Sequence, residues 1–180
     1  LKRPGSATDA QIMTIELLMK QAGVSAADRP VISAANLKAE TTGEPAAAIE
    51  LPDGRIITGK TSSLLGAASA LLLNALKVLA GIDDEVKLIS PTIIEPIQEQ
   101  KVSQLHNKNP PLHTDEVLIA LSICAATDGL AKRAMDQLKN LRGSEVHSSV
   151  ILSQVDTGIF RKLGVNLTCE PSYQSQALYH

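Results

Sequence analysis

Aromatic residues are scarce in this chain of 180 residues. It has no tryptophan, one phenylalanine and two tyrosines, and these three residues (Phe160, Tyr173 and Tyr179) lie near the C-terminal end. The core must therefore be built from Leu, Ile, Val and Ala side chains. Proteins that bind single-stranded nucleic acids stack the bases on aromatic rings, so the scarcity argues against that function.

Excess charge and cysteine are also lacking. The formal net charge is −2 and no basic block occurs, so the chain lacks the electrostatic pattern of proteins that bind nucleic-acid backbones. The two cysteines are Cys124, in an apolar helical run, and Cys169, near the end. Two cysteines in a chain of this size do not form a disulfide framework, so we expect reduced thiols and a cytoplasmic location.

No segment has the pattern of a membrane helix or a signal peptide. The longest apolar run, residues 64–80, is interrupted by polar residues and is shorter than the ~20 apolar residues that cross a bilayer. The first six residues, LKRPGS, do not include the apolar centre of a signal peptide. We therefore expect no membrane partner.

The patterns that are present predict one compact unit with an N-terminal extension. Helices at residues 10–22 and 28–42 form the extension, residues 1–45, and an α/β domain follows at residues 46–180. The domain begins with apolar runs at 46–51 and 55–58 around Asp53-Gly54, which predicts a hairpin whose turn has positive φ at both central residues. An almost wholly apolar helix at 61–81 follows, and we expect it to be buried against the sheet.

Further elements alternate after this helix. We predict strands at 86–90, 146–153 and 165–169, and helices at 92–105, 115–126, 130–141 and 156–163, with the first of these starting near Glu95 because of Pro96. This order predicts an α/β fold, with α+β as the alternative, and a mixed sheet with helices on both faces. Its strand–turn–strand–helix start resembles a cytidine-deaminase-like fold, although the zinc signature of those enzymes is absent.

The first candidate site is Gly59-Lys60-Thr61-Ser62. A strand precedes it and a helix follows, so free backbone N–H groups could bind an anion through Lys60, Thr61 and Ser62. The glycine of a nucleoside-triphosphate loop is missing, because Gly54 belongs to the hairpin turn. The alternative is that Thr61 or Ser62 caps the helix and Gly59 relieves crowding.

The second candidate site is the polar stretch at residues 106–116. His106, Asn107 and Asn109 are candidates for ligand binding, whereas His113, Asp115 and Glu116 are candidates for acid–base catalysis. Glu145 and His147 are added as catalytic candidates because they share one face of a strand. The alternative is a helix cap and ordinary loop residues. No recognised metal spacing occurs, and no pattern indicates a particular cofactor.

A smaller group surrounds Phe160. Asp156, Arg161 and Lys162 could form an ion-pair cluster at the edge of a helix or an anion site, and the ion-pair cluster is the prediction.

Several long segments resemble a known bacterial family, the domain of unknown function 1846, in its C-terminal part. They are LPDGRIITGKTS, ALLLNALK, LISPTIIEPI, LHTDEVLIALSICAAT, HSSVILSQVD and FRKLGVNLTCEP. The resemblance implies a longer protein whose N-terminal part contains a glycine-rich loop. Two positions depart from the family pattern: Pro111 stands where arginine is usual, and Ser144 stands where cysteine is usual.

Three functions remain open at this point. The first is a domain that binds a small anionic or nucleotide-like ligand, together with an N-terminal region of its own chain or a second copy. The second is a hydrolase or transferase that uses the acid–base residues named above. The third is an oligomerisation domain whose contacts come from the apolar helices and the aromatic C-terminal tail.

Overall fold

Seven α-helices and four β-strands make up the part of the chain that the computed structural model describes, residues 9–25 and 29–174. The helices are α1 (Asp9–Gln21), α2 (Pro30–Thr42), α3 (Ala67–Ala80), α4 (Pro91–Glu99), α5 (Thr114–Ala125), α6 (Gly129–Met135) and α7 (Gln154–Lys162). The strands are β1 (Ala46–Glu50), β2 (Ile56–Lys60), β3 (Glu145–Ser148) and β4 (Asn166–Cys169).

The strands form one mixed sheet in the order β2-β1-β3-β4. β1 pairs antiparallel with both β2 and β3, whereas β3 pairs parallel with β4 through a connection that contains α7. The mixed α/β sheet predicted from the element order is therefore confirmed. The cytidine-deaminase-like arrangement stays a prediction.

Helices cover both faces of the sheet because the residues of β1 alternate between two cores. Ala48 packs with Val31 and Ala35 of α2 on one face. Ala47 and Ile49 point to the other face and join the larger core, which contains the buried leucines of α3 and residues of α5, α6 and α7. The predicted buried helix is confirmed as α3.

The hairpin between β1 and β2 is present, but its turn differs from the predicted one. The N–H of Gly54 donates to the carbonyl of Leu51, and the N–H of Leu51 donates to the carbonyl of Arg55. Only Gly54 has a positive φ, at 84°, in this turn. The predicted turn had Asp53 and Gly54 at its centre, whereas the observed turn, Leu51 to Gly54, has Pro52 and Asp53 there. Pro52 has φ fixed near about −65°, so this turn cannot have positive φ at both central residues.

The start of α3 was predicted too early. Thr61 instead extends the sheet, because its N–H donates to the carbonyl of Pro45. The hydroxyl of Ser62 then accepts from the N–H groups of Leu64 and Leu65, which closes a turn before the helix begins at Ala67. Neither Thr61 nor Ser62 is the N-cap of α3, whose N-cap is Gly66.

Four other predicted elements also need correction. Residues 86–90 form no strand. Leu88 and Ile89 are buried in the core without pairing in the sheet, and this burial accounts for the apolar run. α4 begins at Pro91 because Ser90 caps it, and it tolerates Pro96 in its interior. The helix predicted at 130–141 ends at Met135 and is followed by a 3₁₀ turn, Leu138–Leu141. β3 ends at Ser148, where its hydroxyl accepts from the N–H of Val150 and turns the chain.

Some expectations remain open. The boundary at residue 45 stays a prediction, and α2 on its N-terminal side packs against β1. Tyr179 and the rest of the tail from 175 onwards lie outside the described residues. Within the described part, none of the helices has the length and apolar character needed to cross a bilayer.

Candidate functional site

A cavity of about 450 Å³ lies where the N-termini of α3, α5 and α7 come together. This volume is within the range of small-molecule sites, roughly 300–1,000 Å³. We call it the three-helix cavity and define it by the segments that line it: Thr61 and Gly66–Ala68, the loop with Asn107, Asn109 and His113, the stretch 150–154 with Asp156, and Tyr173 with Gln174.

The N-terminus of α3 is the part of the wall most suited to an anion. Its N-cap is Gly66, which provides no side-chain cap, and its first turn contains no acidic residue. Among the hydrogen bonds of the described residues, none uses the N–H of Ala67 or Ala68. The side chains there are small, so a ligand can approach these N–H groups and the positive end of the helix dipole.

Thr61 adds a side-chain hydroxyl to this wall. It lines the cavity, it is only 8% exposed, and no hydrogen bond of the described residues involves its hydroxyl. The Thr61 hydroxyl is thus available to a ligand in the cavity.

The N-termini of α5 and α7 are already matched by a carboxylate, that of Asp156. Its Oδ1 accepts from the N–H and the hydroxyl of Thr114 at 2.9 Å each, and its Oδ2 accepts from the hydroxyl of Ser153 at 2.8 Å. Asp156 is only 6% exposed. The predicted ion-pair cluster of Asp156 with Arg161 and Lys162 is therefore wrong, because this carboxylate points to the helix termini instead.

The loop before α5 brings three predicted residues into the cavity wall. Asn107 and Asn109 line the cavity, and the side-chain oxygen of Asn107 holds the loop by accepting from the N–H of Asn109 at 2.8 Å. His113 lines the cavity at the start of α5. His106 has φ 54° and is exposed, and it is not among the lining residues.

The imidazole of His113 is held on both sides. Its Nδ1 lies 3.3 Å from Nζ of Lys101, and its Nε2 lies 3.1 Å from the amide nitrogen Nδ2 of Asn109. Lys101 also forms an ion pair with Glu116, with 2.8 Å between Nζ and Oε2. The same Oε2 accepts from the backbone N–H of His113 at 2.7 Å. Glu116 thus supports the site from behind and does not line it.

Lys101 was not found by sequence reasoning. It lies in a π-helical turn, Gln100–Gln104, that continues from α4, and only 3% of it is exposed. π-Helical turns occur often at functional sites. Nothing in the residue pattern marks this lysine, because its burial depends on the wider turn. The proline inside α4 was the one local sign of an irregular helix.

Four other predicted site residues are elsewhere. Lys60 and Ser62 are exposed and do not line the cavity. Asp115 accepts from the N–H of Glu116 at 2.8 Å. Glu145 forms an ion pair with Arg29 at 2.6 Å, beside a separate shallow hollow.

His147 lies on the α2 face of the sheet, away from the three-helix cavity. Its Nδ1 is 2.8 Å from the hydroxyl of Thr168 and its Nε2 is 3.1 Å from Oε1 of Glu170. Burial lowers the pKa of His147, and the contact with Glu170 offsets this only in part. The pKa of Glu170 is lowered, first by the hydrogen bond from Asn36.

The structure therefore brings Thr61, Asn107, Asn109 and His113 together and leaves Glu145 and His147 apart from them. The roles of these residues stay predictions. Within residues 9–25 and 29–174, no group of three or more His, Cys, Asp and Glu side chains is arranged to hold a metal ion.

Comparison with known families gives the affiliation of the chain. The family model described as "Domain of unknown function DUF1846, C-terminal" matches residues 27–179. The chain belongs to the DUF1846 family. The affiliation inferred from the sequence segments is confirmed.

DUF1846 relatives include UPF0371 proteins from several bacteria. One from Corynebacterium efficiens is 59% identical over 165 residues, which cover 92% of this chain and 33% of the relative. One from Streptococcus thermophilus is 50% identical over 171 residues, which cover 95% of this chain and 35% of the relative. The chain thus spans about a third of the length of these relatives.

Proposed function

We propose that the three-helix cavity binds a small anion that carries a phosphate or carboxylate group, and that the protein does so in the cytoplasm. The observation that carries this proposal is the N-terminus of α3, which faces the cavity without a cap or an acidic residue. The carboxylate of Asp156 offsets the positive dipole ends of the neighbouring α5 and α7. The positive end of α3 has no such carboxylate in its first turn.

The other wall groups complete a set of hydrogen-bond donors around this end of α3. The hydroxyl of Thr61 has no partner among the described residues, and Asn107 and Asn109 also line the cavity. Such a set suits a ligand with several acceptor oxygens. The volume of about 450 Å³ leaves room for an organic part beyond the anionic group.

The curated relatives are about three times as long as this chain, and a further part of the protein can contribute to the site. We propose that this part, or a second copy of the chain, covers exposed apolar side chains of α1 such as Met13, Leu17 and Leu18. A second copy would make the protein a homo-oligomer.

The variant Gly66→Asp tests the anion proposal directly. Gly66 has the φ and ψ of an N-cap, and a Cβ built there would meet no atom closer than 3.6 Å. The new carboxylate would cap α3 and occupy the N–H groups that we assign to the ligand. We expect binding of inorganic phosphate or pyrophosphate, measured by calorimetry on the full-length protein, to weaken at least about tenfold, or ~1.4 kcal/mol.

The same variant should be more stable than the parent. An aspartate at the N-cap of a helix is favourable by a few tenths to about 1 kcal/mol, so a loss of binding cannot be attributed to unfolding. Gly66→Ala is the matched control, since it adds a methyl group but no cap, and it should keep the binding. If the parent binds neither probe, or if Gly66→Asp binds as tightly as the parent, the proposal is wrong.

A further inference from the structure

Lys101 is buried in the wall behind His113, and its ammonium group has three acceptors around it. Nζ lies 2.8 Å from Oε2 of Glu116, 2.9 Å from the carbonyl oxygen of Pro111 and 3.3 Å from Nδ1 of His113. An ammonium group has three protons and no acceptor, so each of these contacts is a hydrogen bond that Lys101 donates. Nδ1 of His113 must therefore be the unprotonated nitrogen of the ring.

The tautomer of His113 determines what Asn109 offers to the cavity. A neutral imidazole has one proton, and with Nδ1 accepting this proton is on Nε2. In the structure the atom of Asn109 that contacts Nε2 is the amide nitrogen Nδ2, 3.1 Å away, and two donors cannot bond to each other. With the proton on Nε2, the amide must therefore turn so that its Oδ1 accepts from the Nε2–H. Because the oxygen and nitrogen of an amide can exchange places by a flip, this contact assigns the orientation. The NH₂ group of Asn109 is left to face the cavity as a donor.

We propose that Lys101 is a positioning residue that fixes His113 in the Nε2–H tautomer and thereby turns the NH₂ group of Asn109 toward the ligand. The contact between Asn109 and a ligand rests on the proposed anion binding, whereas the tautomer of His113 does not. The chain Glu116–Lys101–His113–Asn109 connects the π-helical turn to the cavity. Lys101 therefore does more than fill space, because an apolar side chain in its place would leave Nδ1 of His113 without a hydrogen-bond donor.

The tautomer can be read directly from the ¹⁵N resonances of the His113 ring in the full-length protein at pH 8. We expect the parent to show a single Nε2–H form. The double variant Lys101→Met/Glu116→Gln removes both charges together, so no buried charge is left unpaired and the net charge is unchanged. We expect this variant to show both tautomers, and Lys101→Arg, which keeps a donor, to retain the single form.

Lys77→Met is the matched control for the loss of a buried ammonium group. Lys77 is 8% exposed and donates to Asp84, and it does not line the three-helix cavity. This variant should leave the His113 resonances unchanged. A parent with the proton on Nδ1, or a double variant with an unmoved Nδ1 resonance, would overturn the role of Lys101.

Phosphate binding supplies a second, separate measurement. We expect the double variant to bind inorganic phosphate roughly tenfold more weakly than the parent, the equivalent of one hydrogen bond. If the parent binds no phosphate but its ring shows the expected response to the double variant, the proposed function fails and the role of Lys101 stands. If the parent binds phosphate and the double variant binds equally well, the step through Asn109 is wrong.

Discussion

Ser144 is a buried residue whose hydroxyl does not contribute a hydrogen bond to the described fold. It lies just before β3, it is 1% exposed, and within the described part of the chain its Oγ is enclosed without a hydrogen-bond partner. Enclosing an unpaired hydroxyl costs about 1–3 kcal/mol. This is also the position at which the family resemblance implies a cysteine.

We expect Ser144→Cys to stabilise the protein. A thiol is somewhat larger than a hydroxyl but is a much weaker polar group, so the free energy of unfolding should rise by about 1 kcal/mol in urea denaturation. Ser153→Ala is the comparison, since the Ser153 hydroxyl is used: it accepts from the N–H of Asp156 and donates to its carboxylate. That variant should lose about 1 kcal/mol. A loss of stability in Ser144→Cys would contradict the expectation.

Individual site residues were predictable to different degrees. Asn107, Asn109 and His113 stand out in the sequence because polar residues and two prolines mark a loop before a helix. Lys101 did not stand out, because a lysine in a helical segment is normally exposed and only the π-helical turn buries it. The contacts of Asp156 were missed for a similar reason, since they depend on how α5 and α7 meet.

At the scale of elements, β2 approaches the backbone of α3 closely at Gly59. A Cβ built on Gly59 would lie 2.6 Å from Cα of Leu71 and still closer to the N of Leu71. These are backbone atoms of α3, and they cannot move without shifting the helix. The sequence-based idea that Gly59 relieves crowding is thus correct, although the crowding comes from the packing of β2 against α3 and not from a helix cap.

We expect Gly59→Ala to destabilise the protein severely. Overpacking of a core costs typically about 1–3 kcal/mol, and the rigid backbone here places this variant at or beyond the upper end. Urea denaturation is the measurement. Gly158→Ala, in the interior of α7 with nothing within 4 Å of its added methyl group, should instead gain up to about 1 kcal/mol. A Gly59→Ala protein as stable as the parent would show that α3 can shift.

The elements themselves were predicted where apolar periodicity and turn residues agree. α3, α5 and the β1–β2 hairpin have both signals. The stretch 86–90 has a short apolar run, but burial beside α3 explains it equally well, and periodicity cannot distinguish the two cases. The start of α3 was misplaced because Ser62 makes a local turn with Leu64 and Leu65, an alternative that serine offers as readily as a helix cap.

For the molecule as a whole, the contact of α2 with the sheet makes stability depend on pH. Asn36 of α2 donates to Glu170, and Glu170 meets His147. The pKa of His147 in the folded protein is below its ordinary value of 6.5, so the unfolded chain takes up a proton first as the pH falls. The pKa of Glu170 is below its ordinary value of 4.5, so protonation of this carboxylate also favours the unfolded chain, at a lower pH.

We expect the free energy of unfolding to fall as the pH drops below about 6.5, and to fall further below about 4.5. In His147→Gln the loss between pH 7.5 and 5.5 should be smaller than in the parent, which urea denaturation at each pH will measure. His106→Gln removes an exposed histidine outside this cluster and should behave as the parent. Equal losses in His147→Gln and the parent would rule out His147 as the source.

The pairing of β1 with β3 also has a consequence for the order in which the protein can fold. Ala47 pairs with Ser148, so the centre of the sheet joins residues roughly a hundred positions apart, and contacts of such long range form slowly. The β1–β2 hairpin and α3 can associate while the ribosome is still adding residues. The centre of the sheet has to wait until β3 has left the exit tunnel, and the cavity, which needs α7, is completed later still.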